Sequence, residues 1–410
     1  MYSETVTAKH LEKIEASLGI KLHRYTVAES HELTAYLTKL HKAEKLMSNG
    51  RYLNKDHMAF VRNEQILFQQ DFFYALRYIE IIKDGVEGGG IGYFRMWESQ
   101  KILMDLIARM ERDNIDYYEK GYPCDGILIC DNKGGRQLGH TMIGRAIVMH
   151  RALSWPYTRS MAASVDEDKI LELYDRDCLI LNSLPFFLKP QGWGTTEGGY
   201  DKKGEHIHIE SLGSKILYQQ SKQQSGLGTG RQFDTAHLTE VSQWPYPKMI
   251  EIDFFPTIPQ HPYSFVLLET TPQGRKNWWH DFSERVRHKK MPRWKYLYIP
   301  FYAEPKKYRR HPADSWQPSE LTMQMAWKVN QTSQEFVGKQ VTLEREQMYW
   351  WETSYDEALA NNALNLFLSN YSVTPEQSFQ HTTQSAISAT VLDWMRATSS
   401  PGVAYEISGL

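Results

Sequence analysis

The chain is predicted to be an α/β protein with a mainly parallel sheet and helices on both faces. Three observations predict it. Short apolar runs such as DGILIC (125–130) and YSFVLLETT (263–271) have the composition of strands buried on both faces. Amphipathic helical stretches alternate with these runs. Between one such run and the helix after it lies NKGGRQLGHT (132–141), where Gly134 and Gly139 have the spacing of G-x-x-x-x-G-K-[ST].

Residues 1–83 are read as a helical N-terminal region, with Leu11, Ile14, Leu18 and Leu22 at helical spacing. DGVEGGGIGYF (84–94) holds five glycines and is expected to be a loop or hairpin turn. WESQKILMDLIARMERDN (97–114) is an amphipathic helix, and DGILIC is the strand before the loop. TMIGRAIVMHRALSWP (141–156) is the helix after it, ending before Pro156. TRSMAAS (158–164) gives a second strand, and DEDKILELYDRD (166–177) a helix with an acidic start. A glycine-turned hairpin is expected over 192–220. FDTAHLTEV (233–241), YSFVLLETT and WKYLYIPFY (294–302) are further strands, the first two each carrying a glutamate near the end. Helical pattern returns after residue 312. The expected units are therefore 1–83, an α/β core over 84–312, and a separate C-terminal subdomain or linker over 313–410.

Bulk properties narrow the class. The 410 residues carry a net charge of −2, so the whole chain has no polyanion-binding character. Three cysteines without a C-x-x-C pair do not make a disulfide framework, so a reducing, intracellular setting is expected. There is no apolar run of membrane-spanning length, so no membrane partner is expected. His206 and His208 lie two apart without further ligands, so zinc is not expected.

The loop 132–141 carries the first functional signal. Backbone N–H groups of Gly134, Gly135, Arg136, Gln137, Leu138, Gly139, His140 and Thr141 could hold phosphate oxygens at the positive end of a helix. The Thr141 hydroxyl is the candidate ligand for Mg²⁺. The position of the usual loop lysine holds His140, which is expected to be mostly neutral at pH 7. The cation at the phosphates is then expected from Lys133 or Arg136. A nucleotide hydrolase also needs a carboxylate on a neighbouring strand to position or deprotonate water, and Glu240 and Glu269 are candidates.

The order RQLGHT, HLTEV, LLETTPQG resembles that of the large terminase subunit of tailed bacteriophages. FRMWESQ (94–100) is similar to the adenine-recognition segment of that family. MAASVDEDK, GTGRQFDTAHLTEV, TLEREQMYWW and NYSVTPEQSF resemble other segments of it, and the resemblance covers roughly residues 60–385. It implies an ATPase motor acting with ATP and Mg²⁺ on double-stranded DNA. Its partners would be a portal protein and a small terminase subunit, in a homo-oligomeric ring, in the host cytoplasm and transiently at the procapsid portal. On this resemblance Glu240 is the catalytic glutamate, with Thr270 and Thr271 as γ-phosphate sensors. Gln100 would meet the base edge, with Phe94 or Trp97 as stacking ring. Arg231 would lie on the approach to the catalytic strand, and Arg145, Arg151 or Arg231 would act on a neighbouring subunit. The family's usual nuclease domain is not evident before residue 410.

RVRHKKMPRWKYLYIPFYAEPKKYRR (285–310) has ten Lys/Arg against one acidic residue, Glu304, and is the expected DNA track. Two alternatives stay open: another P-loop helicase or translocase, and a degenerate P-loop protein that binds DNA or a partner without hydrolysis.

Overall fold

The computed structural model describes residues 1–42, 54–83, 88–191, 205–222, 226–228 and 230–380. Four helices come first: α1 (Glu4–Leu18), α2 (Val27–Lys42), α3 (Lys55–Gln70) and α4 (Phe72–Ala75). Then follow β1 (Glu80–Ile82), β2 (Ile91–Tyr93), α5 (Glu98–Glu119), β3 (Ile127–Gly134), α6 (His140–Ser154), β4 (Arg159–Ser164) and α7 (Glu167–Ser183). After these come β5 (His206–Ile209), β6 (Ser214–Gln220), β7 (Thr235–Thr239), β8 (Phe265–Thr270), α8 (Trp278–Arg287) and β9 (Trp294–Pro300). The described part closes with α9 (Glu320–Val337), α10 (Arg345–Ala360), α11 (Leu364–Asn370) and α12 (Pro375–Ser378).

Seven strands form one sheet in the order β5-β6-β4-β7-β8-β3-β9. Every pairing is parallel except β5 with β6. The mainly parallel α/β fold read from the sequence is therefore the observed one. Alternate residues of each strand serve opposite faces. Ile127 and Ile129 of β3 join Phe265, Leu267, Ile143 and Ile147 in one core layer, under α6. Leu128 and Cys130 join Val266, Leu268, Trp279 and Phe282 in the other, under α8. Because both faces are covered, β3 is buried along its whole length, which is why it is apolar without alternation until Asp131.

β3 is the switch point of this sheet. The chain leaves it through α6 to β4 on one side, while β8 crosses over through α8 to β9 on the other. Connections that diverge in this way leave a crevice beyond the carboxyl ends of the strands, where open α/β sheets bind ligands.

Residues 313–380 do not stand apart as a linker: Met325, Val329, Trp351 and Phe367 share the core layer of α6. The Ser372 N–H also donates to Gly134 O at 2.8 Å. Large aromatic side chains that would be costly in water find their burial against the sheet. The expected glycine-turned hairpin is the antiparallel pair β5 and β6, which turns over 210–213 with Gly213 in left-handed conformation; residues 192–204 of that stretch lie outside the described part. The glycine-rich stretch 84–94 does make a hairpin, with β1 pairing antiparallel to β2; its residues 84–87 lie outside the described part.

Candidate active site

Strand alternation builds a polar layer above the apolar one. Asp131 and Lys133 of β3, His237 of β7 and Glu269 of β8 lie on the same sheet face as Ile129 and Leu267; His237 is level with Leu267, and the other three stand one or two pleats nearer the carboxyl ends. The first residues of α6, His140 and Thr141, cover them.

Glu269 is the hub. Its Oε1 accepts from the Thr141 hydroxyl at 2.5 Å and lies 3.2 Å from His237 Nε2. Its Oε2 lies 3.1 Å from Lys133 Nζ, and Glu240 Oε1 is 3.7 Å from the same amine. Burial alone would drive both groups neutral. For Lys133 the nearby Glu269 and Glu240 carboxylates outweigh it and raise the pKa. For Glu269 the Lys133 ammonium and the His237 bond outweigh it and lower the pKa. The pair is therefore ionised. Burial lowers the pKa of His237, which accordingly donates to Glu269 as a neutral ring.

His140 differs from its expectation. It is buried, with Nδ1 at 2.6 Å from Asp131 Oδ2 and Nε2 at 3.1 Å from Ser99 O. Burial opposes its charge, but the Asp131 carboxylate more than offsets this and raises the pKa. With acceptors at both ring nitrogens, the imidazolium is favoured over the neutral ring expected from sequence. That charge is matched by Asp131 and fastens the start of α6 to β3.

Glu240 follows directly on β7 and takes left-handed backbone angles, φ 53° and ψ 36°. This conformation costs a non-glycine residue about 1–2 kcal/mol. The half-buried side chain accepts from Gln243 Nε2 at 2.9 Å. Two residues on, the Ser242 hydroxyl meets Thr270 Oγ1 at 2.8 Å and donates to Thr271 O at 2.9 Å. The end of β8 is thus tied to the turn that carries Glu240.

The loop between β3 and α6 begins later than the sequence motif suggests. Asn132, Lys133 and Gly134 belong to β3. Lys133 therefore points from a strand into the polar layer and does not curl across the loop. Gln137 (φ 54°) and Gly139 (φ 76°) are left-handed, whereas Arg136 and Leu138 before and between them are not. Such alternation turns successive N–H groups toward one concave side, as in anion-binding nests. The N–H groups of His140 and Thr141, in the first turn of α6, add to that side. A side chain at Gly135 would bring its Cβ to 2.8 Å from the Phe301 backbone, so the loop needs glycine there.

The other predicted residues separate into groups. Arg136 and Gln137 are exposed at the loop tip, and Leu138 is buried in the core. Arg136 makes no ion pair with Asp131 or Asp166 among the described residues. Gln100 is buried, with Oε1 accepting from Trp97 N–H and Nε2 donating to Gly139 O at 2.8 Å. Both ends of its amide serve the backbone rather than a ligand. Trp97 is half-buried, with the Lys307 ammonium 4.2 Å from its ring centroid. Phe94 is buried in the core layer of α6, which removes it as a stacking ring. Arg145 is buried against Asp177, and Arg151 is buried with Nε donating to Thr235 Oγ1 at 2.8 Å. Neither can reach a neighbouring subunit. Arg231 is exposed but precedes β7, so it lies at the amino ends of the strands, opposite the loop.

The basic stretch 285–310 is not one track. β9 carries it from one end of the sheet to the other, and most of its arginines are matched: Arg285 with Glu251, Arg287 with Glu376, Arg309 with Glu344 and Arg310 with Glu357. Lys289, Lys290, Lys295 and Lys306 are exposed and without an ion pair among the described residues.

Sequence reasoning missed His237, Ser242, Lys307 and Tyr308. Only His237 had a local signal, since it alternates with Thr235 and Thr239 onto the site face of β7.

No protein-family model matches this chain, and no curated protein matches it. Among solved structures it is similar to the HK97 bacteriophage large terminase, at 10% identity over 66% of this chain and 49% of that one, with a TM-score of 0.44. It is also similar to the Thermus phage P74-26 large terminase ATPase domain, at 12% identity over 53% of this chain and 89% of that one (TM-score 0.32). A third is the large terminase of a thermophilic bacteriophage in complex with ATP-gamma-S, at 14% identity over 54% of this chain and 48% of that one (TM-score 0.30). The chain spans about half the length of the HK97 protein. Among the described residues, no helix is long and apolar enough to cross a membrane.

Proposed function

We propose that the chain is an ATP-hydrolysing motor that moves double-stranded DNA, in the manner of a phage large terminase. The observation that carries the hydrolase reading is the juxtaposition of a nest-like loop, a buried ionised lysine and a strained glutamate at the carboxyl ends of adjacent strands. The ordered segments RQLGHT, HLTEV and LLETTPQG support the terminase part.

In this reading the N–H groups of the loop and of the first turn of α6 bind the β- and γ-phosphates. Lys133 stabilises the negative charge that develops on the transferred phosphoryl group. Glu240, beside it and open to solvent on one side, orients the attacking water and takes its proton. Thr141 and Glu269 together offer a hydroxyl and a carboxylate, which fits a magnesium ion that takes its remaining ligands from phosphate and water. When bound there, magnesium would neutralise phosphate charge. Among the described residues no cluster of three metal-ligating side chains exists, so a protein-only metal cage is not part of this reading.

The link from Thr270 through Ser242 gives loss of the γ-phosphate a path to the β8–α8 side of the molecule. Of the arginines weighed for action on a neighbouring subunit, Arg231 is the exposed one. A ring, a portal protein and a small-subunit partner belong to the same proposal.

The test is steady-state hydrolysis of MgATP with and without double-stranded DNA. DNA-stimulated turnover that is lost in Glu240→Gln supports the reading. Tight DNA binding with no hydrolysis under any condition would return the chain to the class of non-hydrolysing binders.

A further inference from the structure

In the loop, one carbonyl after another meets a donor on its outer side. The Tyr308 hydroxyl donates to Arg136 O, and Lys307 Nζ donates to Gln137 O at 2.8 Å. The Ser99 hydroxyl donates to Leu138 O at 2.9 Å, and Gln100 Nε2 to Gly139 O at 2.8 Å. Before them, the Ser372 N–H holds Gly134 O at 2.8 Å. These donors come from three distant parts of the chain: the start of α5, the segment after β9, and the turn after α11.

We infer that Lys307 and Tyr308 are positioning residues for the phosphates of the nucleotide, acting through the loop backbone; this rests on the nucleotide reading above. A peptide unit presents its N–H and its C=O in opposite directions. Holding the carbonyls outward therefore keeps the N–H groups on the concave, phosphate-facing side. The restraint matters most at Gln137, a non-glycine residue in the left-handed region. Released, the peptide before Gln137, whose Arg136 carbonyl the Tyr308 hydroxyl holds, could flip to relieve that conformation and turn a carbonyl dipole toward the phosphates, which repel it.

The clamp is itself held. The Lys307 side chain is buried, with its ammonium over the Trp97 ring. The buried Glu304 carboxylate accepts from the Ser99 N–H at 3.4 Å, joining the segment after β9 to the start of α5. Tyr308 packs between Trp350 and Tyr371, with ring centroids at 4.9 and 5.4 Å. Charge at Lys307 thus serves the loop rather than DNA, although it lies in the most basic stretch of the sequence.

The experiment compares wild type, Tyr308→Phe, Lys307→Met and Lys307→Arg. Binding of MgATP and of inorganic tripolyphosphate is measured by calorimetry, KM and kcat by steady-state hydrolysis, and folding by thermal melting. Tyr308→Phe removes one hydroxyl and should weaken both ligands about tenfold, with a larger loss for Lys307→Met, whose bond is charge-assisted. The loss should be the same for both ligands, because the clamp acts on phosphate and not on the base. It should appear in KM, with kcat changed by less than about threefold. Lys307→Arg should recover part of the affinity. If Lys307→Met does not fold, Tyr308→Phe decides alone. Unchanged affinity in folded Tyr308→Phe, or a loss confined to MgATP, overturns the clamp. If wild type binds neither ligand, it is the nucleotide reading that fails.

Discussion

The ammonium of Lys133 lies 3.1 Å from the carboxylate of Glu269, and both groups are buried. β3 and β8 are adjacent in the sheet although the two residues are far apart in the chain, with Asp131 facing Glu269 in register. A buried ion pair of this kind is costly to break from one side, because the remaining charge stays without water or partner.

The first prediction uses that asymmetry. Lys133→Met should abolish hydrolysis and lower stability by about 3–5 kcal/mol, because Glu269 is left uncompensated. Adding Glu269→Gln should restore much of the stability and none of the turnover. Denaturant melts and single-turnover assays on both variants check this. Recovery of turnover in the double variant would show that Lys133 serves the fold alone.

The second prediction concerns the backbone at Glu240. Glu240→Gln keeps size and shape, so nucleotide binding should persist while turnover falls by about 10²–10⁴-fold. Glu240→Gly should be equally inactive but should melt no lower than wild type, since glycine relieves about 1 kcal/mol of left-handed strain. A clear loss of stability in Glu240→Gly would mean that the side-chain contacts outweigh the strain.

Much of this site was legible in the sequence, for a physical reason. Strands buried on both faces are written as apolar runs, so β3, β7, β8 and β9 declare themselves, and the polar residues near their ends stand out. Glu240 and Glu269 were found in that way, and Lys133 through the spacing of the loop motif. The distance of Arg231 from the loop was legible by the same logic, since a residue just before a parallel strand lies at the amino end of the sheet. The charge on His140 was not legible, because it depends on Asp131 folding back against it. Nor was the clamp, since no local pattern links Lys307 and Tyr308 to the loop carbonyls they hold. The pairing of arginines in the basic stretch was not legible either, because their counter-charges come from elsewhere, at Glu251, Glu344, Glu357 and Glu376.

That pairing pattern gives the third prediction. If DNA contacts this stretch, exposed lysines without ion pairs should carry it. Neutralising Lys289, Lys290 and Lys295 together should reduce the slope of log affinity against log salt by up to about 2.7. Neutralising Arg309 and Arg310, which already face carboxylates, should change it less. A salt slope unchanged by the lysine triple variant would place DNA on another surface.

The fourth prediction follows the sign of the His140 shift. Its pKa in the fold is raised above the ordinary value of 6.5 by the neighbouring Asp131, against the opposing effect of burial. A group with a raised folded pKa binds its proton more tightly in the native state. Its contribution to stability is therefore complete below about 6.5 and fades as pH rises through the folded pKa. His140→Gln keeps a polar side chain of similar reach but cannot carry the charge. Wild type should thus exceed His140→Gln in stability most at about pH 6, and the gap should narrow toward about pH 9. Because the imidazolium faces Asp131 and Ser99 O rather than the loop, the variant should keep far more turnover than Lys133→Met at every pH. Denaturant melts of the two proteins across this range measure the gap directly. A gap that is constant, or that widens with pH, would mean that His140 sits in the fold as a neutral ring.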